Sequence, residues 1–244
     1  MEPFFTNSNK IQHIIKSFNL TKTLFVSSII IGEAHIGKRT LARYLFPNAV
    51  YVSAEDQKQV ELALENNEEL IITHFEKLMN PQELDFTNKR IIATANYVTN
   101  SSIIDTLFAF IYPMPSLAER PEDISFLSKK FIQEAQSTLM LENNNINIEN
   151  IPLILTQNNQ SLRQSIYNYI IKQNMSIDDI IDMLYDYFYV HYDGNNNYKK
   201  HIKIFEKPLI EAGLKKYGSQ LKLSNALGIN RNTLRKKIHE HNID

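Results

Sequence analysis

Two stretches of this 244-residue chain hold residue types at spacings that do chemistry. The first, GEAHIGKRT (Gly32 to Thr40), sets Gly32, Gly37 and Lys38 in the G-x-x-x-x-G-K spacing of a phosphate-binding loop, with Arg39 and Thr40 directly after it. Glycines at those places let backbone N–H groups wrap phosphate oxygens, and the lysine adds charge against the outer phosphates. Arg39 stands where such loops carry Ser or Thr, so the hydroxyl that helps hold magnesium is missing; His35 puts an imidazole where another glycine is common. The competing reading is a plain glycine-containing turn between a strand and a helix. The second stretch, GINRNTLRKKI (Gly228 to Ile238), packs four basic residues behind a helix-starting Asn230, a composition suited to DNA.

The longer segment GEAHIGKRTLARYLF resembles the G-E-S-G-T-G-K-E-x-x-A-R segment in the AAA+ domain of NtrC-like bacterial enhancer-binding proteins, the activators of sigma-54; that family also lacks Ser or Thr after the lysine. PMPSLAERPEDI (Pro113 to Ile124) resembles the family's P-x-L-x-x-R-x-x-D-I, and IIATAN resembles the strand that ends in its sensor asparagine, here Asn96. The resemblance runs from about Ile11 onward. It implies a P-loop AAA+ parallel sheet with a helical lid. It also implies ATP or ADP as ligand, with a site formed by Gly32, Gly37, Lys38, Arg39, Thr40 and Asn96.

Several motor parts of that family have no counterpart. LIITHFEKL stands where the family shows L-F-L-D-E-I, so Thr73 and His74 replace the two acids that hold magnesium and polarise the attacking water, and Glu76 lies two residues beyond that position. SSIIDTLFAFI supplies none of the arginines expected before IYPMP, and Gln160 occupies the place of the lid's sensor arginine, with Arg163 three residues later as a substitute. The G-A-F-T-G-A loop that touches sigma-54 is absent: only VSAEDQKQVELALENNEE separates Tyr51 from Leu70. The loss of one such group commonly costs several kcal/mol of transition-state stabilisation, so these departures imply nucleotide binding without useful hydrolysis.

The tail from Phe205 to Asp244 resembles the Fis-type helix-turn-helix almost end to end. FEKPLIEAGLKKY stops at Gly218, QLKLSNAL stops at Gly228 in the tight turn, and RNTLRKKIHEH follows as the recognition helix with Asn230 as its N-cap. Leu234 and Ile238 fall four apart and face the core. Arg231 or Arg235 suits a guanine edge, and Asn232, Thr233, Lys236 and Lys237 suit phosphates or shape readout. A basic helical hairpin that binds protein is the competing reading. A Fis-type module is generally dimeric, which would set two recognition helices about 34 Å apart on an inverted repeat. SIDDIIDMLYDYFYV and FEKPLIEAGLKKY are candidates for that contact, although packed lid core is the preferred reading of Tyr185, Tyr187, Phe188 and Tyr189.

The elements that must carry these residues follow from periodicity. Apolar β-branched runs at Thr23–Ile31, Ala49–Ala54, Glu69–Phe75, Arg90–Asn96 and Ala109–Met114 alternate with helical segments, the pattern of an α/β parallel sheet with crossover helices. From Pro121 to His191 the three-and-four spacing is helical. The domain reading is a degenerate AAA+ core over 1–120, a lid over 121–192, a linker over 193–203 around the Asn-rich HYDGNNNYKK, and an all-α helix-turn-helix domain over 204–244. Charge divides the same way: from Lys199 onward eleven basic residues face four acidic ones, a net +7, which leaves about −8 on the rest. A basic tail on an acidic body points to a polyanion as the tail's partner.

Composition excludes other classes. With no cysteine there is no disulfide, no thiolate nucleophile and no Cys-ligated metal; the seven histidines are scattered, so no metal is expected. No run is long and apolar enough for a membrane span, and MEPFFTNSNK lacks the order of a signal peptide, which makes a cytoplasmic address the expectation. The combined reading is a sequence-specific regulator that binds double-stranded DNA as a homodimer or higher homo-oligomer, with a catalytically degenerate AAA+ body and no sigma-54 contact. Two alternatives stand beside it. One is a slow or partner-completed ATPase that recruits Glu76 or Asp85; the other is a body that serves only to oligomerise the tails.

Overall fold

The computed structural model describes residues 4–21, 24–141 and 146–243 and divides into two compact units, Met1–Asn174 and Met175–Asp244. In the first unit, helix α1 (Asn9–Leu20) precedes the alternation β1 (Ser27–Ile31), α2 (Lys38–Leu45), β2 (Val50–Ser53), α3 (Gln57–Asn66), β3 (Glu69–Thr73), β4 (Arg90–Ala95), α4 (Ser101–Leu107) and β5 (Phe110–Pro113). All five strands are parallel, in the order β2-β3-β4-β1-β5. Parallel sheets need covering on both faces, which is why the central strands read as unbroken apolar runs. Ile29, Ile72 and Ile91 point into one layer with Val60, Leu64 and Phe108, while Ile30, Ile71 and Ile92 point into the opposite layer with Ile11, Leu41 and Phe46. The strand ends of β1, β3 and β4 therefore open along one edge, the place where α/β sheets bind ligands.

Two helices, α5 (Pro121–Thr138) and α6 (Asn158–Asn174), close the first unit around Leu117, Ile132, Ala135, Leu162, Ile166 and Ile170. The second unit holds α7 (Ile177–His191), α8 (Asn197–Tyr217), α9 (Gln220–Leu227) and α10 (Arg231–Glu240).

The sequence reading needs correction at several boundaries. The first strand starts at Ser27, because Leu24 and Phe25 are exposed and pair with nothing in the sheet; Thr23 lies outside the described residues. The third strand stops at Thr73, because His74 turns into the left-handed region at φ 57°. The lid does not extend to residue 192. Helix α7 belongs to the second unit and buries none of its side chains, so Tyr185, Tyr187, Phe188 and Tyr189 are not lid core. The linker shrinks to a bend, since Gly194 and Asn196 take left-handed conformations and α8 starts at Asn197.

Candidate functional site

The phosphate-binding loop has the backbone its glycines foretell. A Cβ on Gly32 would lie 2.4 Å from the Met114 carbonyl oxygen, so only glycine fits where the loop leaves β1. Gly37 caps α2 at φ 101°, a conformation that costs other residues strain. Every carbonyl from residue 32 to residue 36 accepts a hydrogen bond. The Lys38 ammonium donates to Gly32 at 2.6 Å and Glu33 at 2.5 Å, Asn158 Nδ2 to Ala34 at 3.0 Å, the Asn159 backbone to His35 at 3.2 Å, and the Arg120 guanidinium to Ile36. With its carbonyls all occupied, the loop leaves the N–H groups at the start of α2 for a ligand, and a helix N-terminus stabilises an anion.

Lys38 is 7% exposed, and burial lowers its pKa from 10.5 to about 8, partly offset by the charges of Glu76 and Glu33. Its ammonium also donates to Asn96 Oδ1 at 3.0 Å. Asn96 in turn donates through Nδ2 at 2.7 Å and its backbone N–H at 3.2 Å to the Glu76 carboxylate. Position along a strand put Glu76 away from this site; the structure brings it in, because left-handed His74 and the 3₁₀ turn Phe75–Lys77 fold the chain back on the strand ends. Local sequence gives one faint signal for that reversal: histidine is among the residues enriched at positive φ. Asp85 stays on the surface, capping the Thr87 N–H at 2.8 Å.

Between the loop and α6 lies a cavity of about 840 Å³. Of the expected nucleotide residues, Gly37, Lys38, Arg39, Thr40 and Asn96 line it, while Gly32 shapes the loop without lining it. His74, Gln160 and Arg163 line it too, as does Asn159, which the sequence reading missed. The Arg163 guanidinium pairs with Glu134 and lies over the Tyr167 ring at 5.4 Å. Arg39 lies over the Tyr51 ring at 5.1 Å. Among the described residues, no group of three or more His, Asp or Glu side chains could hold a metal ion.

The second unit contains a three-helix head. Gly218 and Gly228 end α8 and α9 at φ 64° and 65°, and Asn230 Oδ1 accepts the Asn232 N–H at 2.8 Å as the cap of α10. Ile210, Leu223 and Leu234 are buried at its centre, with Leu214, Leu227 and Ile238 packed around them. Close helix approach needs Gly213, where a Cβ would meet Leu223 Cδ1 at 2.3 Å. Arg231, Asn232, Thr233, Arg235 and Lys236 are exposed; Lys236 lies 3.7 Å from Glu240 on its own helix. Lys237 is a correction: it is half-buried and ion-paired with Glu206 of α8, which also meets His241 at 2.8 Å. Both partners hold the Glu206 carboxyl below its usual pKa. Lys237 therefore joins α10 to α8 and is not a free phosphate contact.

Comparison with known proteins agrees with both halves. The family described as "Bacterial regulatory protein, Fis family" matches residues 202–241. The DNA-binding transcriptional regulator NtrC of Azospirillum brasilense is 45% identical over 64 residues, 25% of this chain and 13% of that protein, so the likeness spans only a small part of the relative's length. Crystal structures of NtrX from Brucella abortus, in complex with ATP and with ADP, superpose with a TM-score of 0.56 at 14% identity, covering 100% and 98% of this chain and 70% and 69% of theirs. No helix among the described residues is long and apolar enough to cross a membrane. The chain thus shares the fold of the NtrX structures and carries a C-terminal segment similar to the Fis family of bacterial regulatory proteins and to NtrC.

Proposed function

We propose that this chain is a sequence-specific, double-stranded-DNA-binding transcription regulator of the cytoplasm, acting as a homodimer or higher homo-oligomer, whose AAA+ body holds ATP or ADP without driving sigma-54 by hydrolysis. The observation that carries the reading is α10, a capped helix with a buried Leu234 and an exposed row of Arg231, Asn232, Thr233 and Arg235. A helix so built enters a major groove by its N-terminal end. NtrX of Brucella abortus with ATP and with ADP supports nucleotide as the ligand of the loop cavity, whose Lys38, Gly37 and Thr40 suit phosphates.

Selection of bound duplexes from a random pool tests the DNA reading. The intact chain is expected to enrich an inverted repeat, and Arg235→Ala to lose about 1–3 kcal/mol and relax one base position if that side chain reads a base. Lys237→Ala acts on folding through Glu206 and leaves sequence preference intact. Failure to enrich any sequence would refute the proposal.

A slow or partner-completed ATPase is the second reading, and one observation favours it: Glu76 sits in the Lys38–Asn96 network instead of outside it. Still, its carboxylate faces Asn96, and the site has Arg163 in place of the full arginine set. Phosphate release from ATP is expected to match a Lys38→Ala control. Turnover near one per second that this substitution abolishes would establish the enzyme instead.

A further inference from the structure

The loop cavity differs in charge from a site built for a magnesium-bound nucleotide. P-loop sites hold magnesium with an oxygen beside the lysine and a carboxylate at the end of a neighbouring strand. Those places here belong to Arg39 and His74, both lining the cavity. Thr73 is buried, with its hydroxyl donating to the Val52 carbonyl at 3.3 Å. The carboxylates nearby are engaged elsewhere: Glu76 takes both Asn96 donors, and Glu33 accepts Asn158 Nδ2 at 2.9 Å. Among the described residues no carboxylate lines the cavity, whereas Lys38 and Arg39 line it and Arg163 does so while paired with Glu134. Magnesium is bound through one or two carboxylates together with substrate phosphates and dehydrates reluctantly, so this donor set does not fit it.

We propose that the site takes a nucleoside di- or triphosphate as the metal-free anion, with His74 and Arg163 supplying the phosphate donors that magnesium replaces elsewhere. This rests on the nucleotide-binding reading and adds the form of the ligand. Guanidinium and imidazole N–H groups donate directly to phosphate oxygens, and magnesium already on the polyphosphate occupies those oxygens.

Titration calorimetry of the full chain with ADP and with ATP, in excess magnesium and in EDTA, tests it. Affinity in EDTA is expected to equal or exceed that in magnesium. His74→Asp keeps a residue that tolerates the left-handed backbone and adds a carboxylate, so it is expected to tighten binding about tenfold on adding magnesium. Wild-type binding tightened about tenfold by magnesium would overturn the proposal and leave nucleotide binding standing. Absence of binding in both solutions would overturn both. Indifference of the His74→Asp chain to magnesium would remove His74 from the part assigned to it.

Discussion

At the scale of single residues, Lys38 shows how a sequence motif acquires its chemistry. Its burial lowers the pKa to about 8, so the side chain is cationic at neutral pH and loses its charge just above that. The sign for ligand binding follows: an anion held by Lys38 binds best below about 8 and weakens as pH rises through that value. Affinity for ADP, measured from pH 7 to pH 9 in EDTA, is expected to fall, and a Lys38→Met chain to show weak binding with little slope. The sign for the free protein is opposite. The folded pKa lies below the unfolded 10.5, so the unfolded chain binds more protons between the two values and stability rises with pH across that window. The residue itself was legible from G-x-x-x-x-G-K spacing. Glu76 was not, since a position three residues past the end of β3 says nothing of direction once the chain turns left-handed at His74.

Among the elements, all five strands were legible in place and order, though the first was read four residues too long, because apolar runs such as Ile29 to Ile31 and Leu70 to Ile72 must be covered on both faces. The helix-turn-helix was legible for a different reason: Gly218 and Gly228 mark left-handed turns few other residues accept, and Asn230 supplies the side-chain cap that starts α10. Helix α7 misled the sequence reading, since three-and-four apolar spacing tells that a face must be covered and not by what. Its capping box is complete, with Ser176 Oγ accepting the Asp179 N–H at 3.1 Å and Asp179 accepting the Ser176 N–H at 2.7 Å. Yet Ile177, Ile181, Tyr185 and Tyr189 are all more than half exposed. Burying one such aliphatic side chain contributes about 1.5–3 kcal/mol, so a partner copy laid along this face gains from several at once. Ile181→Asp is therefore expected to shift a wild-type dimer to monomer in sedimentation at micromolar concentration, with its helical circular dichroism unchanged. A wild-type chain that sediments as a monomer would count against this contact.

For the whole molecule, the corrected start of α8 changes what the second unit can do. An eleven-residue linker would let each reading head wander to find its half-site. Instead, α8 runs for 21 residues from beside α7 to Gly218, with Pro208 inside it, and from Glu206 onward it is itself part of the three-helix core through Ile210 and Leu214. At 1.5 Å per residue the part of α8 ahead of Glu206 is a rigid arm of about 14 Å. If two copies join through α7 as proposed, this arm would fix each three-helix core to that contact, so the distance between the two α10 helices would be set by the protein and not by the DNA. Such a pair would measure its target before it spelled it, and half-sites moved along the duplex by a few base pairs would lie off its scale even when every letter is correct.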